Sequence, residues 1–424
     1  MSISSLVVRS LVSTEEYLAY FRMTDAAFST QPSEDDVQWW MGFVTQKPDF
    51  RAEQLRGAFS DSQLMGGYTF HERILRMGDA RISTGCIGGV VTSPEYRKQG
   101  VATALMQDAL DFARNNNHAL LLLDGIPKFY ARYGYIDMFD MTTVEVDRSA
   151  ILVHPPSGYS IRLATVDDAA DLLALYNHCF STYTGSFDRS LELQTYRLRH
   201  RQTPPVVALS PRGNVVGYLL HGTGDELARG REIAAYDWDA LLALMQYHAN
   251  LFDGDNAPRT LLYLLPLDAL MTHWMIDRLE VPDTSQWLSS AHEWGVRGLT
   301  YHHRFTGWMG RLINFPAVMN AMLPELQARW RRSLARWSGD IILTVDRETC
   351  AFHIDSTDVQ LAASPTSTTA YGLELTPQAL IQCIFGYRQL SQLTDISHLP
   401  GEARSALTML FPMGHTWIPG TDWF

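Results

Sequence analysis

The stretch "VVTSPEYRKQGVATALM", residues 90–106, joins an apolar strand to an amphipathic helix through a basic turn. The strand ends at residues 90–92, and the basic turn spans residues 97–102. In the helix that follows, apolar residues recur every three or four positions over residues 101–113, which is the spacing of a buried helical face. The sequence therefore predicts a strand, a turn and a helix in direct succession.

The turn has the composition of a site for phosphate groups. The first backbone N–H groups of a helix lack an intrahelical acceptor, and the helix dipole gives this end about half a positive charge. Gly100 and Ala102 are small enough for a phosphate to approach these groups, and Arg97 and Lys98 add positive charge. The pattern is neither a P-loop nor GxGxxG. The alternative is an ordinary basic helix start that contains a glycine.

An aromatic turn follows the next apolar strand. The run "HALLLLD", residues 118–124, is continuously apolar, as in a buried central strand, and "GIPKFYARYGYIDM" comes directly after it. Tyr130, Tyr133 and Tyr135 place three phenols in this turn. A phenol with a pKa near ~10 keeps its proton at neutral pH and can serve as a general acid. The alternative, favoured for Tyr133 and Tyr135, is that these rings only pack.

Composition excludes several classes of protein. The 424 residues are 46% hydrophobic, which suffices for large cores, and the net charge of −12 disfavours nucleic acid as a partner. The four cysteines show no CxxC spacing, which argues against a zinc site and suits a reducing compartment. The N-terminus lacks the pattern of a signal peptide, and the longest apolar run is too short to span a bilayer. We therefore expect a cytoplasmic protein without a membrane span or a bound metal.

Two parts of the chain begin with the same pattern. Residues 7–28 and 160–180 each contain a short β-type run with an Arg, a Ser/Thr capping signal with acidic residues, and an apolar-periodic helix that ends in Phe. The segment "VHPPSGYS" separates them, and a third α+β unit begins near residue 305. The alternative is chance similarity of two strand–helix starts. The predicted fold class is α+β or mixed α/β, with domains over residues 1–153, 158–304 and 305–424.

These motifs resemble those of a known family. Arg-x-x-Gly-x-Ala at a strand-to-helix junction resembles the acetyl-CoA signature of the GNAT acetyltransferases. Nearly the whole chain resembles the Eis (enhanced intracellular survival) family, through "VVTSPEYRKQGVATALM", "FYARYGY", "WMGRLINFPAVMNAM", a degenerate second copy and an aromatic C-terminus. The resemblance implies two GNAT-type domains in tandem, of which the first binds acetyl-CoA, followed by a domain similar to sterol carrier protein 2.

The resemblance also implies the residues of the site. Family chains end in a phenylalanine whose α-carboxylate reaches the first domain's active site, so Phe424 is the implied base or amine-orienting group, and Tyr130 is the implied general acid. A carboxylate with a pKa near ~3.5 is a weak base, so it should hold a water or the cation. The alternative for Phe424 is a plug in a hydrophobic groove. The implied acetyl-CoA contacts are Val90, Val91, Thr92, Arg97, Lys98, Gln99, Gly100, Val101, Ala102 and Thr103.

The sequence departs from the family pattern in two places, and it does not identify the molecule that accepts the acetyl group. Gln99 and Thr103 replace part of the usual basic run, and "PKF" precedes Tyr130 where glycines are more usual. Phe28 and Trp40 are the candidate substrate residues, because aromatic faces suit a polycation. Acidic residues nearby suit either a polycation or the solvated start of a helix. They are Asp25, Glu34, Asp35 and Asp36.

Three functions remain open from the sequence. The family's substrates are aminoglycosides and other amines, including lysine side chains, so the chain is expected to be an N-acetyltransferase of polycationic small molecules or of protein lysines. A lipid- or partner-binding protein with a vestigial CoA site is the third possibility, because the last unit resembles a lipid carrier. The family also implies a homo-oligomer, a hexamer.

Overall fold

The computed structural model describes residues 6–126, 128–156, 158–254, 257–279, 298–303, 306–362, 370–414 and 416–424. The chain separates into two compact units. Unit 1 comprises Met1–Met138, Phe305–Gly414 and Phe424, and unit 2 comprises Phe139–Arg304 and His415–Trp423. None of the helices in the described part of the chain is long and apolar enough to cross a membrane.

The described residues form eighteen strands and eleven α-helices. The strands are β1 (Leu6–Ser10), β2 (Leu55–Ser60), β3 (Gln63–Met77), β4 (Ala80–Thr92), β5 (Leu120–Asp124), β6 (Ile136–Asp137), β7 (Met141–Asp147), β8 (Ser160–Leu163), β9 (Val206–Leu209), β10 (Val215–His221), β11 (Arg229–Ala235), β12 (Thr260–Leu264), β13 (Gly298–His303), β14 (Trp308–Leu312), β15 (Gly339–Val345), β16 (Glu348–Ile354), β17 (Val359–Ala362) and β18 (Ala370–Leu375). The helices are α1 (Thr14–Phe28), α2 (Glu34–Thr45), α3 (Val101–Asn115), α4 (Arg148–Leu152), α5 (Ala169–Phe180), α6 (Leu191–His200), α7 (Trp238–Ala249), α8 (Leu270–Arg278), α9 (Phe315–Arg332), α10 (Pro377–Ile384) and α11 (Gly401–Leu410). The mixed α/β class predicted from the sequence is confirmed.

Unit 1 contains a seven-stranded sheet in the order β1-β2-β3-β4-β5-β14-β6. Neighbouring strands are antiparallel except β4 and β5, which are parallel. The apolar face of α3 joins Tyr68 and Phe70 of β3 in one core cluster. Residues of α1 and α2 join Leu55 and Phe59 of β2 in another. Because side chains alternate along a strand, the two clusters lie on opposite faces of the sheet.

Unit 2 contains a second seven-stranded sheet with the same plan. Read from the edge strand β8, its order is β8-β9-β10-β11-β12-β7-β13. Only β11 and β12 are parallel, and they occupy the fourth and fifth positions, as β4 and β5 do in unit 1. The repeat seen in residues 7–28 and 160–180 thus has a structural counterpart, since β1–α1 and β8–α5 begin the two sheets in the same way.

The sixth strand of each sheet comes from a different part of the chain than the predicted domains assign. β14 belongs to the range 305–424, yet it lies between β5 and β6 in the sheet of unit 1. β7 belongs to the range 1–153, yet it lies between β12 and β13 in unit 2. The two units divide the chain at 304–305, where a predicted boundary also lies, and at 138–139 rather than at 153–158. The alternating burial of β7 suits either sheet, so its sequence does not specify a partner.

The remainder of unit 1 is an α+β segment. It has a four-stranded sheet in the order β17-β16-β15-β18 and the helices α9, α10 and α11. The turn at Gly78-Asp79 joins β3 to β4, and the backbone N–H of Asp79 donates to Glu325 of α9 at 2.9 Å. Gly78 has a φ of 54°, and a Cβ there would lie 2.0 Å from the Glu325 carboxylate. Glycine is therefore required where this turn meets α9.

Candidate active site

The parallel strands β4 and β5 separate in the centre of the unit 1 sheet. Their pairing ends at Ile87 and Leu123. Strand β4 continues to Thr92, whereas β5 ends at Asp124. The edge of β4 over residues 88–92 therefore has no paired strand on its β5 side within the described chain. Backbone N–H and C=O groups on such an edge can bind an extended ligand.

A bulge at Gly89 accompanies this separation. The register between β3 and β4 shifts between Gly67 and Thr69, and Gly89 has a φ of 57°. The buried hydroxyl of Tyr20 on α1 donates to the carbonyl oxygen of Gly89 at 3.0 Å. A Cβ on Gly89 would lie 2.3 Å from that hydroxyl. The glycine thus allows both the left-handed conformation and the approach of Tyr20, which holds the bulge from α1.

The start of α3 is open, as the predicted phosphate site requires. Gly100 caps the helix with a φ of 88°, and nothing lies within 4 Å of a Cβ built on it. Lys98 also has a positive φ, of 61°. The first hydrogen bond of the helix runs from the N–H of Ala104 to the carbonyl oxygen of Gly100, at 3.0 Å. Helix geometry consequently leaves the N–H groups of residues 101–103 pointing out of the helix.

The predicted cofactor residues divide into two groups. Arg97, Lys98, Gln99, Gly100 and Thr103 are exposed around the helix start. By contrast, the side chains of Val91 and Val101 are buried in the core, and Val90, Thr92 and Ala102 are partly buried. The valine residues can therefore offer only their backbone to a ligand, whereas the exposed group can offer side chains.

Tyr130 lies where β5 ends. It begins a short 3₁₀ turn, Tyr130–Tyr133, and is 8% exposed. A Cβ on Gly125 would lie 2.4 Å from its ring, so the ring packs directly across that glycine. Burial, with smaller contributions from Tyr133 and Asp124, raises the pKa of Tyr130 to about 12. At neutral pH the phenol therefore keeps its proton and acts as a donor.

The two other tyrosines of the turn have different surroundings. Tyr135 is 1% exposed in the core, and burial raises its pKa far above the ordinary value, so the packing interpretation describes it. Tyr133 is partly buried, and its hydroxyl lies 3.1 Å from the Thr103 hydroxyl on α3. The aromatic turn and the start of α3 are thus hydrogen-bonded to each other.

Phe424 lies against the open part of β4. A Cβ on Gly88 would be 2.8 Å from its carboxyl carbon. Its ring meets Trp308 of β14 edge-on, with centroids 5.4 Å apart, and lies 6.1 Å from the ring of His71. Burial lowers the pKa of His71 far below its ordinary value, with smaller contributions from two cations nearby, so this imidazole is neutral. Gly88 and Asp124 follow the last paired residues of β4 and β5, so Phe424 and Tyr130 both lie where the strands separate.

The candidate substrate residues lie on the surface of unit 1. Phe28, the last residue of α1, is 66% exposed, and Trp40 of α2 is 47% exposed. Trp40 packs edge-on against Trp39, with ring centroids 4.9 Å apart. No contact described in the structure joins Phe28 or Trp40 to Tyr130 or Phe424. The side chains of Phe28 and Trp40 are therefore exposed to solvent and do not line a closed pocket.

The acidic residues nearby serve the helix starts. Glu34 pairs with Arg22 at 2.7 Å. Ser33 donates from its hydroxyl to Asp36 at 2.7 Å and from its N–H to Asp25 at 2.9 Å. The alternative interpretation of this run, the solvated start of a helix, accounts for all three carboxylates.

Several residues of the site were not predicted. Tyr20, His71 and Trp308 gave no sequence signal, because they lie far apart in the chain and meet only in the fold. The pair Gly88-Gly89 within a strand was a usable signal, since strand glycines mark bulges and close approaches. In the described part of the chain, no group of His, Cys, Asp and Glu is arranged to hold a metal ion.

Comparison with known proteins agrees with this geometry. Residues 8–136 match the acetyltransferase (GNAT) domain. Similar solved structures include GCN5-related N-acetyltransferases from Kribbella flavida (17% identity, TM-score 0.67, covering 99% of this chain and 98% of that one) and Anabaena variabilis (15%, 0.70, 99% and 100%). Eis1 from Mycobacterium abscessus is also similar (17%, 0.61, 98% and 100%). No curated protein sequence matches this chain.

The structural likenesses extend over nearly the whole chain, and at these identities they concern the fold. The domain match covers the strands, the turn and the helix from which the site is built. The GNAT fold uses an acyl-CoA as its donor. Residues 8–136 therefore form an acetyltransferase domain of the GNAT type, and the protein is an acyltransferase.

Proposed function

We propose that this protein is an N-acetyltransferase of the Eis type, which transfers acetyl from acetyl-CoA to amines of polycationic small molecules such as aminoglycosides. The observation that carries the proposal is the contact of the Phe424 carboxyl group with Gly88, where β4 and β5 separate. The full-length likeness to Eis1 supports it. In this proposal residues 1–153 and 158–304 are tandem GNAT domains and residues 305–424 a sterol-carrier-like domain, in a cytoplasmic hexamer.

The donor would lie along the open edge of β4. The pyrophosphate of acetyl-CoA would meet the N–H groups at the start of α3, with Arg97 and Lys98 beside it. The pantetheine arm would extend along residues 88–92, whose β5 side is unpaired. A backbone N–H within residues 90–92 would polarise the thioester carbonyl, as oxyanion-stabilising amides do.

The chemistry would be direct attack by the amine. The acceptor ammonium first releases a proton to a water held at the Phe424 carboxylate. The neutral amine then forms a C–N bond to the acetyl carbon, the C–S bond breaks, and the Tyr130 phenol gives its proton to the departing CoA thiolate. The nitrogen loses its second proton to the water held at the Phe424 carboxylate, which leaves the neutral amide, and solvent returns a proton to Tyr130. Burial raises the pKa of Tyr130, and it would raise that of a thiolate in the same site, so the two groups stay matched for proton transfer.

The acceptor would be drawn by charge and held by aromatic surface. The net charge of −12 attracts cations over a distance. Phe28 and Trp40 offer exposed faces for cation–π contact. Because Glu34 and Asp36 are already engaged, the Phe424 carboxylate would be the main anionic group for the reacting amine.

The test is acetyl-CoA turnover with a panel of aminoglycosides, polyamines and lysine peptides. We expect turnover with the polycationic small molecules. One extra glycine after Phe424 should abolish it while acetyl-CoA binding persists, because the carboxylate would be displaced. Turnover with peptides alone would replace the proposal by protein-lysine acetylation, and binding of acetyl-CoA without any turnover would contradict it.

A second variant tests the same contact from the strand. Gly88→Ala places a methyl group 2.8 Å from the Phe424 carboxyl carbon, so the terminus must move. We expect kcat to fall at least tenfold. Gly42→Ala in α2 is the matched control, because its added Cβ meets nothing closer than 3.8 Å. Equal activity of the two variants would show that the position of the carboxylate does not matter.

A further inference from the structure

Unit 2 has a small, partly open polar cavity beside its sheet. Helix α6 supplies one wall, and strands β10 and β11 supply another. The open volume is about 20 Å³, room for one to a few non-hydrogen atoms. A cavity of this size excludes nucleotides, amino sugars and acyl chains. Its polar lining consists of Arg189, Arg197, Arg201, Gln194, Tyr218, Glu232 and Thr421.

Two of the three arginines around this cavity are paired with carboxylates. Arg189 binds Glu232 through two N–H groups, at 2.9 and 2.6 Å, and Asp422 at 2.7 Å. Arg197 binds the other oxygen of Asp422 at 2.8 Å. Although burial acts to raise the pKa of Glu232, Arg189 holds it below the ordinary value, so this carboxylate is ionised. Two carboxylates thus balance two guanidinium groups.

Arg201 is the third arginine, and it has no acidic partner among the described residues. It follows α6 directly as the residue that caps the helix. Burial, together with repulsion from Arg197, lowers the pKa of Arg201 to about 10, so the group remains charged at neutral pH. The cavity therefore contains one positive charge more than its acids balance. Arg201 is partly buried, and a charge withdrawn from water without a counter-ion is costly to the folded protein.

Gln194 provides a second, independent observation at this cavity. It lies two turns before Arg201 on the same face of α6 and is 8% exposed. Its side-chain oxygen is buried without a hydrogen-bond partner within the described chain. Since the two ends of a side-chain amide can exchange places, the group can present its NH₂ to the cavity. Buried amides are rarely left unpaired in native proteins.

We propose that this cavity binds a small inorganic anion of the size of chloride or bicarbonate, held by Arg201, Arg197 and Gln194. The anion neutralises the excess charge and accepts the hydrogen bonds that Arg201 and Gln194 have to give. It binds the folded state alone, so it stabilises unit 2 in proportion to its concentration. This site is separate from acyl transfer and does not depend on the proposed function.

The experiment measures the thermal unfolding midpoint of the full chain in sodium chloride and in sodium gluconate at equal ionic strength, since gluconate is too large for the cavity. We expect a saturable rise of a few degrees in chloride. Arg201→Gln should weaken chloride binding at least tenfold and remove the rise. Arg199→Gln is the matched control, because Arg199 lies on the exposed side of α6 and carries the same charge.

A direct measurement accompanies the unfolding series. The linewidth of the chloride-35 NMR signal should increase with wild-type protein and with Arg199→Gln, and bicarbonate should reverse the increase by competition. If Arg201→Gln does not fold, this competition on the wild type still decides the question. Equal midpoints of the wild type in chloride and gluconate would overturn the proposal, and so would an unchanged response in folded Arg201→Gln.

Discussion

The two seven-stranded sheets have the same strand order, but they differ in the fourth strand and in the helix that follows that strand. In unit 1, β4 carries Gly88 and Gly89 where its pairing with β5 ends, and α3 begins at Gly100 with its first N–H groups open. In unit 2, β11 and β12 are paired at Gly230 and Tyr263, and the next residues of β11 are charged rather than small. The same topology thus supports an open site in one unit and not in the other.

In unit 2, acidic residues and the C-terminal segment lie at the two places that are open in unit 1, which are the start of the helix and the edge of the fourth strand. Asp237 caps α7, and its carboxylate accepts from the N–H of Ala240 at 2.8 Å, so an acid stands where a phosphate would bind. On β11, Glu232 is buried against Arg189 and Thr421. A Cβ on Gly420 would lie 2.9 Å from the carbonyl oxygen of Arg231, so the C-terminal segment covers this strand. Fold alone therefore does not decide activity.

The largest effect is expected from Tyr130→Phe in unit 1. Loss of the proton donor should lower kcat by roughly 10²–10⁴-fold, because general acid catalysis contributes about that much. The KM for acetyl-CoA should stay nearly constant, since the ring still packs across Gly125. Steady-state kinetics on acetyl-CoA and an aminoglycoside measures both constants.

Tyr135→Phe is the control for that experiment. Its hydroxyl is buried without a hydrogen-bond partner in the described part of the chain, so removing it should leave kcat unchanged. A similar loss in both variants would assign the effect to packing of the turn rather than to proton transfer.

Asp422→Asn tests the ion network that occupies unit 2. It leaves Arg189 and Arg197 partly unpaired in a buried site, so the free energy of unfolding should fall by roughly 3–5 kcal/mol. Urea unfolding followed by tryptophan fluorescence measures it. Asp225→Asn, at an exposed position of the same unit, should change stability little. Equal stability of the two variants would mean that the network contributes nothing.

Gly100→Asp gives α3 the acidic start that α7 has. The added carboxylate should repel the phosphates and weaken acetyl-CoA binding by roughly 10–100-fold, as the loss of one or two charge-assisted hydrogen bonds would. Isothermal titration calorimetry measures the dissociation constant. Gly213→Asp is matched to it, with a φ of 83° and open space around its Cβ, and it should bind normally. Equal binding by both would remove α3 from the phosphate site.

The smallest effect is expected from Tyr20→Phe. It removes the hydrogen bond to Gly89, and the resulting unpaired carbonyl should cost about 1 kcal/mol of stability. The loosened bulge should raise the KM for acetyl-CoA severalfold. Tyr17→Phe, on the same helix and only partly buried, should change neither quantity. An unchanged KM in Tyr20→Phe would show that the bulge does not depend on α1.

The motifs of the proposed acetyl-CoA side could be recognised in the sequence, because their signals are local. Gly100, Arg97 and Tyr130 belong to short motifs at the ends of β4 and β5, and the structure brings these strand ends together. The acceptor side was less predictable. The carboxylates of Asp25, Glu34 and Asp36 suited a cation equally well, and only their contacts with Arg22 and Ser33 identify them as parts of the structure around the start of α2.

The sequence by itself determined the class of fold, the repeat and the strand–turn–helix unit at residues 90–106, since periodicity and capping act over a few residues. Only the tertiary structure decided that β14 completes the sheet of unit 1, that β7 completes the sheet of unit 2, and that the carboxyl group of Phe424 lies on Gly88. Backbone hydrogen bonds between strands do not depend on which side chains the strands carry, so the sequence of a strand does not specify its partner. Contacts between residues hundreds of positions apart therefore emerge only when the whole chain packs.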